Sequence, residues 1–224
     1  MISDNLRKVK QEMQDSCALV SRSPSDVTLV GVTKSVDLGQ TIELAKQGVN
    51  HLAENRVDQF LSKKEKMRDF TNLSWHFVGN LQRRKVKSVI NEIDFFHALD
   101  SIKLANEIQK RAEKTIYCFV EVNVSGESSK QGVVSENLLD FIEQLKTLDK
   151  IKVVGLMTMA PLNSSKKEQH EIFAKLKKLQ ETIQKKNLSF APCTQTSMGM
   201  SNDFSVAIQE GATFIRVGTA LFKD

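Results

Sequence analysis

The chain has 224 residues, 40% of them apolar and 26% charged, a soluble globular mixture with room for one large domain or two small ones. Its 32 basic and 27 acidic residues are interspersed and leave a net charge of +5, which argues against a nucleic-acid footprint. With 3 prolines and 10 glycines there is no linker-like stretch. The 3 cysteines, Cys17, Cys118 and Cys193, are too widely spaced for a zinc site or a disulfide framework, so one domain over residues 1–224 in a reducing cytoplasm is expected.

The first twenty residues are polar and charged, with apolar Ile2, Leu6, Val9 and Met13. That spacing predicts an amphipathic helix and not a signal peptide. The longest apolar stretch, near Val153 to Leu162, is too short to span a membrane. Thereafter short runs rich in Val, Ile and Phe alternate with helical periodicity. The runs are Val27–Thr33, Val49–Ala53, Trp75–Val78, Phe95–Leu99, Thr115–Val124, Ile151–Met157, Ala191–Thr196 and Thr213–Val217. The helices are expected near Leu38–Gln47, Arg56–Arg68, Arg83–Asn91, Ile102–Lys114, Ser135–Lys146, Lys166–Lys186 and Asp203–Glu210. Strand–helix alternation implies parallel strands with crossover helices. Eight of them predict an α/β fold, a closed (β/α)8 barrel preceded by an N-terminal helix. An open doubly wound sheet is the alternative, because periodicity does not report closure.

Polar residues collect directly after the apolar runs, where a parallel barrel places its ligand site. In order they are Lys34, Glu54-Asn55, Gly79-Asn80, Asp100, Asn123 with Ser125, Thr158, Ser197 with Gly199, and Arg216 with Gly218-Thr219. Asn80 and Asp100 are better explained as helix caps or turn residues. A lysine at the mouth of a buried strand can present its amine inside a pocket, where desolvation frees the lone pair for attack on a carbonyl. On the strand alone, the ordinary reading of Lys34 is a side chain that reaches out to water. The segments Ser197–Ser201 and Arg216–Ala220 resemble the loops after strands seven and eight of a barrel, which often hold a phosphate on backbone amides and hydroxyls. Two ordinary strand-to-helix turns would look the same. A phosphate cradle opposite a reactive lysine suits a phosphorylated carbonyl compound, and pyridoxal phosphate fits, with the lysine as its Schiff-base partner and an arginine for its pyridine nitrogen.

Several stretches together resemble the pyridoxal phosphate homeostasis protein family, which is related to the barrel domain of alanine racemases. They include Leu29-Val30-Gly31-Val32-Thr33-Lys34, Ala53-Glu54-Asn55-Arg56-Val57, Trp75-His76-Phe77-Val78-Gly79-Asn80-Leu81-Gln82 and His97-Ala98-Leu99-Asp100-Ser101. Ser197-Met198-Gly199-Met200-Ser201-Asn202-Asp203 and Arg216-Val217-Gly218-Thr219-Ala220 complete the set, which covers essentially the whole chain. The resemblance implies a single-domain barrel of the alanine racemase N-terminal type with pyridoxal 5′-phosphate on Lys34. It implies Asn55 at the ring substituents, Ser197, Gly218 and Thr219 at the phosphate, Arg216 at the pyridine nitrogen, and Lys130 as a basic residue near the site. Ala53 and Thr33 replace residues that are usually glycine and serine, and Ser35-Val36 replaces a more usual Thr-Lys.

The implied role is to hold pyridoxal phosphate for vitamin B6 balance and hand it to apo-enzymes, as a monomer with no nucleic-acid or membrane partner. The alternative is a weak amino-acid racemase. Racemisation needs a base on each face of the substrate, and alanine racemases take the second from a tyrosine in another domain, which this chain is expected to lack because it stops just after the eighth strand. Its one tyrosine, Tyr117, begins the fifth strand, roughly 20 Å from that strand's pocket end at about 3.3 Å per residue. Arg216 at the ring nitrogen would also leave the ring a poor electron sink. The basic run Arg83-Arg84-Lys85-Val86-Lys87 is read as a solvated helix face. His51, His97 and His170 have no metal-ligand spacing, and His76 is either packed or pocket-facing.

Overall fold

A computed structural model describes residues 1–126 and 131–223. Helix α1 spans Ile2–Leu19 and buries Ile2, Leu6, Val9, Met13 and Cys17, the stripe expected from the spacing. Strand β1 (Thr28–Val32) is followed by α2 (Leu38–Lys46), β2 (His51–Glu54), α3 (Val57–Lys66), β3 (Ser74–Phe77) and α4 (Arg83–Val89). Next come β4 (Phe95–Leu99), α5 (Ile102–Arg111), β5 (Ile116–Asn123), the two-residue β6 (Val133–Val134) and α6 (Leu138–Gln144). The chain continues through β7 (Ile151–Met157), α7 (Lys166–Gln184), β8 (Gln195–Ser197), α8 (Phe204–Gln209), β9 (Phe214–Val217) and α9 (Thr219–Phe222).

All the strand pairings are parallel. The sheet runs β4-β3-β2-β1-β9-β8-β7-β5, and β4 also pairs with β5, which closes the eight strands into a barrel. Strand β6 lies outside the ring, bonded to β5 through Val122 and Val133. Closure excludes the open-sheet alternative and leaves none of the eight ring strands with an unpaired edge.

The register sorts side chains between two cores. Gly31, Leu52 and Phe77 face the helices: a Cβ on Gly31 would come 2.6 Å from Leu44 Cδ2, and Phe77 packs edge-on against Phe60 of α3. Phe95, Phe119 and Phe214 face inward with the rings of His51, His76 and His97. Helix α1 packs on α8 and α9, and Asn5 Nδ2 donates to Leu221 O and to Lys223 O at 3.3 and 2.8 Å.

Helix punctuation partly follows the sequence. Gly48 follows α2 with φ +85°, and the Ser101 hydroxyl accepts from Leu104 N at the start of α5. Asn80 does not cap α4, whose N-cap is Gln82. The seventh barrel strand is displaced from its expected run, Ala191–Thr196, to Gln195–Ser197. Pro192 lacks an N–H, and Cys193 sits at φ +46°, outside extended geometry, so the regular strand starts later even though Cys193 N still donates to Val153 O at 3.2 Å. Among the described residues, no helix is long and apolar enough to cross a membrane. The basic run on α4 is exposed except for Val86, which is buried.

Candidate functional site at the C-terminal mouth

A cavity of about 620 Å³ opens at the C-terminal ends of the strands, bordered by Lys34, Asn55, Ser201, Arg216, Gly218 and Thr219. Met159, Pro161 and Leu162, from the loop after β7, form an apolar rim. A smaller cavity of about 290 Å³ shares that rim and reaches Glu121, Asn123 and Thr158.

Lys34 stands on the turn after β1, where Val36 N donates to Thr33 O at 3.2 Å. The turn is braced from behind. Lys63, buried on α3, donates its ammonium to Thr33 O at 2.7 Å, Val36 O at 2.9 Å and Glu54 Oε1 at 2.6 Å. Glu54 ends β2, is fully buried, and also accepts from Thr33 Oγ1 at 2.7 Å, while its Oε2 has no hydrogen-bond partner among the described residues. The carbonyls on either side of Lys34 are thus fixed by one ammonium. Lys34 itself is exposed, as the ordinary reading of the strand alone has it, and it borders the cavity.

Asn55 follows Glu54 and borders the cavity, with Gly79 packed against its backbone. A Cβ on Gly79 would come 2.4 Å from Asn55 O, so no side chain fits there. Gly218 meets a milder limit, 3.1 Å from Val32 O. On the far wall the Ser201 hydroxyl accepts from Gly218 N and from Ala220 N, each at 3.2 Å. Two amides therefore converge on one oxygen beside the exposed Thr219. Asp203 Oδ1 accepts from Met200 N at 2.5 Å and folds the Ser197–Ser201 segment back over the strand ends. Burial pushes the Asp203 carboxyl above its usual range, opposed by that amide and by Arg216.

Arg216 is 5% exposed. It donates through NH1 to Ser197 Oγ at 2.5 Å and through NH2 to Thr158 O at 3.1 Å. Burial pushes its pKa down to about 10, and Asp203 and Glu121 oppose the shift. Glu121 faces the same interior, and burial together with Asp100 pushes it up to about 7.

Six residues were expected here from the sequence. The structure gathers Lys34, Asn55, Arg216, Gly218 and Thr219 around one cavity. Ser197 is fully buried beneath it, bonded to Arg216 and to His97 Nδ1, and Ser201 holds the cavity-facing position. Ser197 ends β8 pointing inward, whereas Ser201 follows the Gly199 turn at φ +92°. The repeated serine of the segment was the available signal for Ser201. Glu121 carried no sequence signal beyond its place near a strand end, whereas Asp203 was marked only as the last residue of the Ser197–Asp203 stretch and the start of an expected helix. Lys130 lies outside the described residues.

The profile of the alanine racemase N-terminal domain matches residues 2–224. The chain is 40% identical over 224 residues to the pyridoxal phosphate homeostasis protein of Aquifex aeolicus, covering 99% of this chain and 97% of that one. The protein of the same name from Pseudomonas aeruginosa is 32% identical, with 99% and 94% covered. Among solved structures, PipY of Synechococcus elongatus with pyridoxal phosphate bound superposes with a TM-score of 0.85 at 29% identity, with both chains fully covered. The chain belongs to the alanine racemase N-terminal domain family and, within it, to the pyridoxal phosphate homeostasis proteins.

Proposed function

We propose that this chain binds pyridoxal 5′-phosphate at the C-terminal mouth of its barrel and serves the balance of that cofactor, holding it and releasing it to apo-enzymes that require it. The observation that carries the reading is a single cavity bordered by a primary amine, Lys34, a buried guanidinium, Arg216, and the Gly218-Thr219 turn, whose neighbouring amides, Gly218 N and Ala220 N, hold the Ser201 hydroxyl at the cavity wall. When bound, the cofactor supplies an aldehyde carbon that an amine can hold covalently and a ring that can accept electron density.

The residues fit that group. Lys34 is the amine, held in place by the Lys63 bonds to Thr33 O and Val36 O. Ser201 and Thr219, beside Gly218, would offer hydroxyl donors to the phosphate, the Ser201 oxygen being held by the Gly218 and Ala220 amides. Asn55 meets the ring substituents. Arg216 donates and does not accept, so it pairs with an unprotonated ring nitrogen. The exposure of Lys34 leaves it open to displacement by another amine, the step a carrier needs. The racemase alternative has less support, because Tyr117 begins β5 at the opposite end of the barrel from the cavity. A cytoplasmic monomer over residues 1–224 accords with this role.

The test is to add pyridoxal phosphate to the purified protein, record its visible absorption, reduce with borohydride and map the adduct by mass spectrometry. An adduct on Lys34, with the absorption band lost in Lys34→Ala, is expected. An adduct spread over surface lysines and insensitive to that substitution overturns the reading. Mixing the loaded protein with a pyridoxal-phosphate-dependent apo-enzyme then checks release. Deuterium exchange at the α-carbon of amino acids, if rapid and dependent on Lys34, would favour the racemase.

A further inference from the structure

A hydrogen-bonded chain runs through the barrel that cofactor holding by itself leaves unexplained. Interiors of such barrels are ordinarily filled by layers of branched apolar side chains. Here His51, His76 and His97 take inward positions on the adjacent strands β2, β3 and β4. His51 Nδ1 lies 2.9 Å from His76 Nε2, and His76 Nδ1 lies 2.8 Å from His97 Nε2. His97 Nδ1 lies 2.8 Å from Ser197 Oγ, which also receives Arg216 NH1. Phe95 stacks on His76 at 4.5 Å and Phe119 on His97 at 4.4 Å between ring centroids, so both rings are fixed in orientation. His76 and His97 are fully buried, while His51 is partly exposed at the N-terminal mouth.

Donor counting gives the chain a direction. A guanidinium only donates, so Ser197 Oγ accepts from Arg216. The serine has one hydrogen, and its other bonded partner is His97 Nδ1. A neutral imidazole that accepts at Nδ1 carries its hydrogen on Nε2, so His97 donates to His76 Nδ1. The same step makes His76 donate to His51 Nδ1. Burial holds His76 and His97 well below the usual imidazole range, and neighbouring imidazoles add to the effect, with Arg216 also acting on His97. Both rings are therefore neutral near pH 7, as the count requires.

We propose that Ser197, His97, His76 and His51 form an oriented chain of positioning residues for Arg216, in which all three imidazoles are Nε2–H tautomers and every bond points from the cavity toward the N-terminal mouth. No member can reverse without its neighbours, because a single reversal places two hydrogens, or none, between two nitrogens. That coupling fixes the guanidinium from beneath, with Thr158 O as its second anchor. Its consequence for a bound ring rests on the pyridoxal phosphate reading above, whereas the tautomer alignment needs no cofactor.

The test begins with the full-length, cofactor-free protein carrying 15N-labelled histidine. Long-range proton–nitrogen correlation spectra are expected to show Nε2 protonated and Nδ1 bare in His51, His76 and His97. Ser197→Ala, which deletes the hydroxyl that sets the direction, is expected to shift the ring nitrogens of all three. A protonated Nδ1 on His76 or His97 in the unaltered protein overturns the chain, as does a change confined to His97. Should Ser197→Ala fail to fold, His51→Gln at the partly exposed end replaces it, and unaltered His97 nitrogens would then overturn the coupling. With pyridoxal phosphate added, Ser197→Ala is expected to move the absorption maximum and weaken binding at least threefold. An unchanged spectrum and affinity, with the rings altered, would sink the positioning role alone. If the unaltered protein takes up no cofactor, the cofactor reading fails and the nitrogen spectra still decide the chain.

Discussion

Two cations border the same cavity and are held by opposite means. Lys34 is exposed on a turn, and its order comes from the backbone around it, pinned by the buried Lys63–Glu54 pair. Arg216 is buried in the strand wall and held by its own side-chain bonds to Ser197 and Thr158. The difference suits the function proposed for each group: an amine that would exchange partners has to move and stay wet, whereas a cation that would set the charge at one ring atom has to stay still. Rigidity is supplied to the lysine at one remove and to the arginine directly.

The largest effect tests the indirect support. Lys63→Met leaves Glu54 buried and unpaired, which costs about 3–5 kcal/mol of folding stability, measured by denaturant unfolding. Lys63→Met with Glu54→Gln should recover part of that loss, and pyridoxal phosphate uptake at Lys34 should remain weakened in both. Equal uptake in these variants and the unaltered protein would break the claim that the turn is braced from behind.

A second test concerns the charge environment of Arg216. Glu121 is raised to about 7 in the folded chain, so between the usual carboxylate range and pH 7 the folded state binds more protons there than the unfolded state. Its contribution to stability therefore falls as pH rises through that window, by up to about 3 kcal/mol. Glu121→Gln should lose this decline, seen as a flatter dependence of unfolding free energy on pH from 4.5 to 7.5. Parallel curves for the two proteins would remove Glu121 from the account.

The two cations themselves come next. Arg216→Met strands the buried Thr158 carbonyl and the Ser197 hydroxyl oxygen, at a cost of about 1–3 kcal/mol. Lys34→Ala should change stability by less than about 0.5 kcal/mol, because it removes an exposed side chain. Thermal or denaturant unfolding of the pair side by side sharpens the contrast, and similar losses in both would erase it.

Much of the candidate site could be read from the sequence because Lys34, Asn55, Gly218 and Thr219 follow apolar runs and Arg216 lies near the end of one, and parallel strands bring such positions to one end. Ser197 satisfied the same rule, yet it points into the barrel while Ser201, beyond the Gly199 turn, reaches the cavity. Strand-end position does not report which way a side chain points, and a glycine turn resets that direction. Lys63 was invisible as a brace because its partners, Thr33, Val36 and Glu54, come from the ends of two other elements.

The sequence by itself determined the alternation of eight strands with helices, the amphipathic first helix and the family, because periodicity and local motifs are written in consecutive residues. Only the tertiary structure decided that the sheet closes, since the β4–β5 pairing is a contact that no local pattern encodes. It alone decided that His51, His76 and His97, separated by twenty-odd residues along the chain, line up nitrogen to nitrogen. The parallel register sets them side by side, and a buried ring nitrogen needs a hydrogen-bond partner, which the next ring supplies.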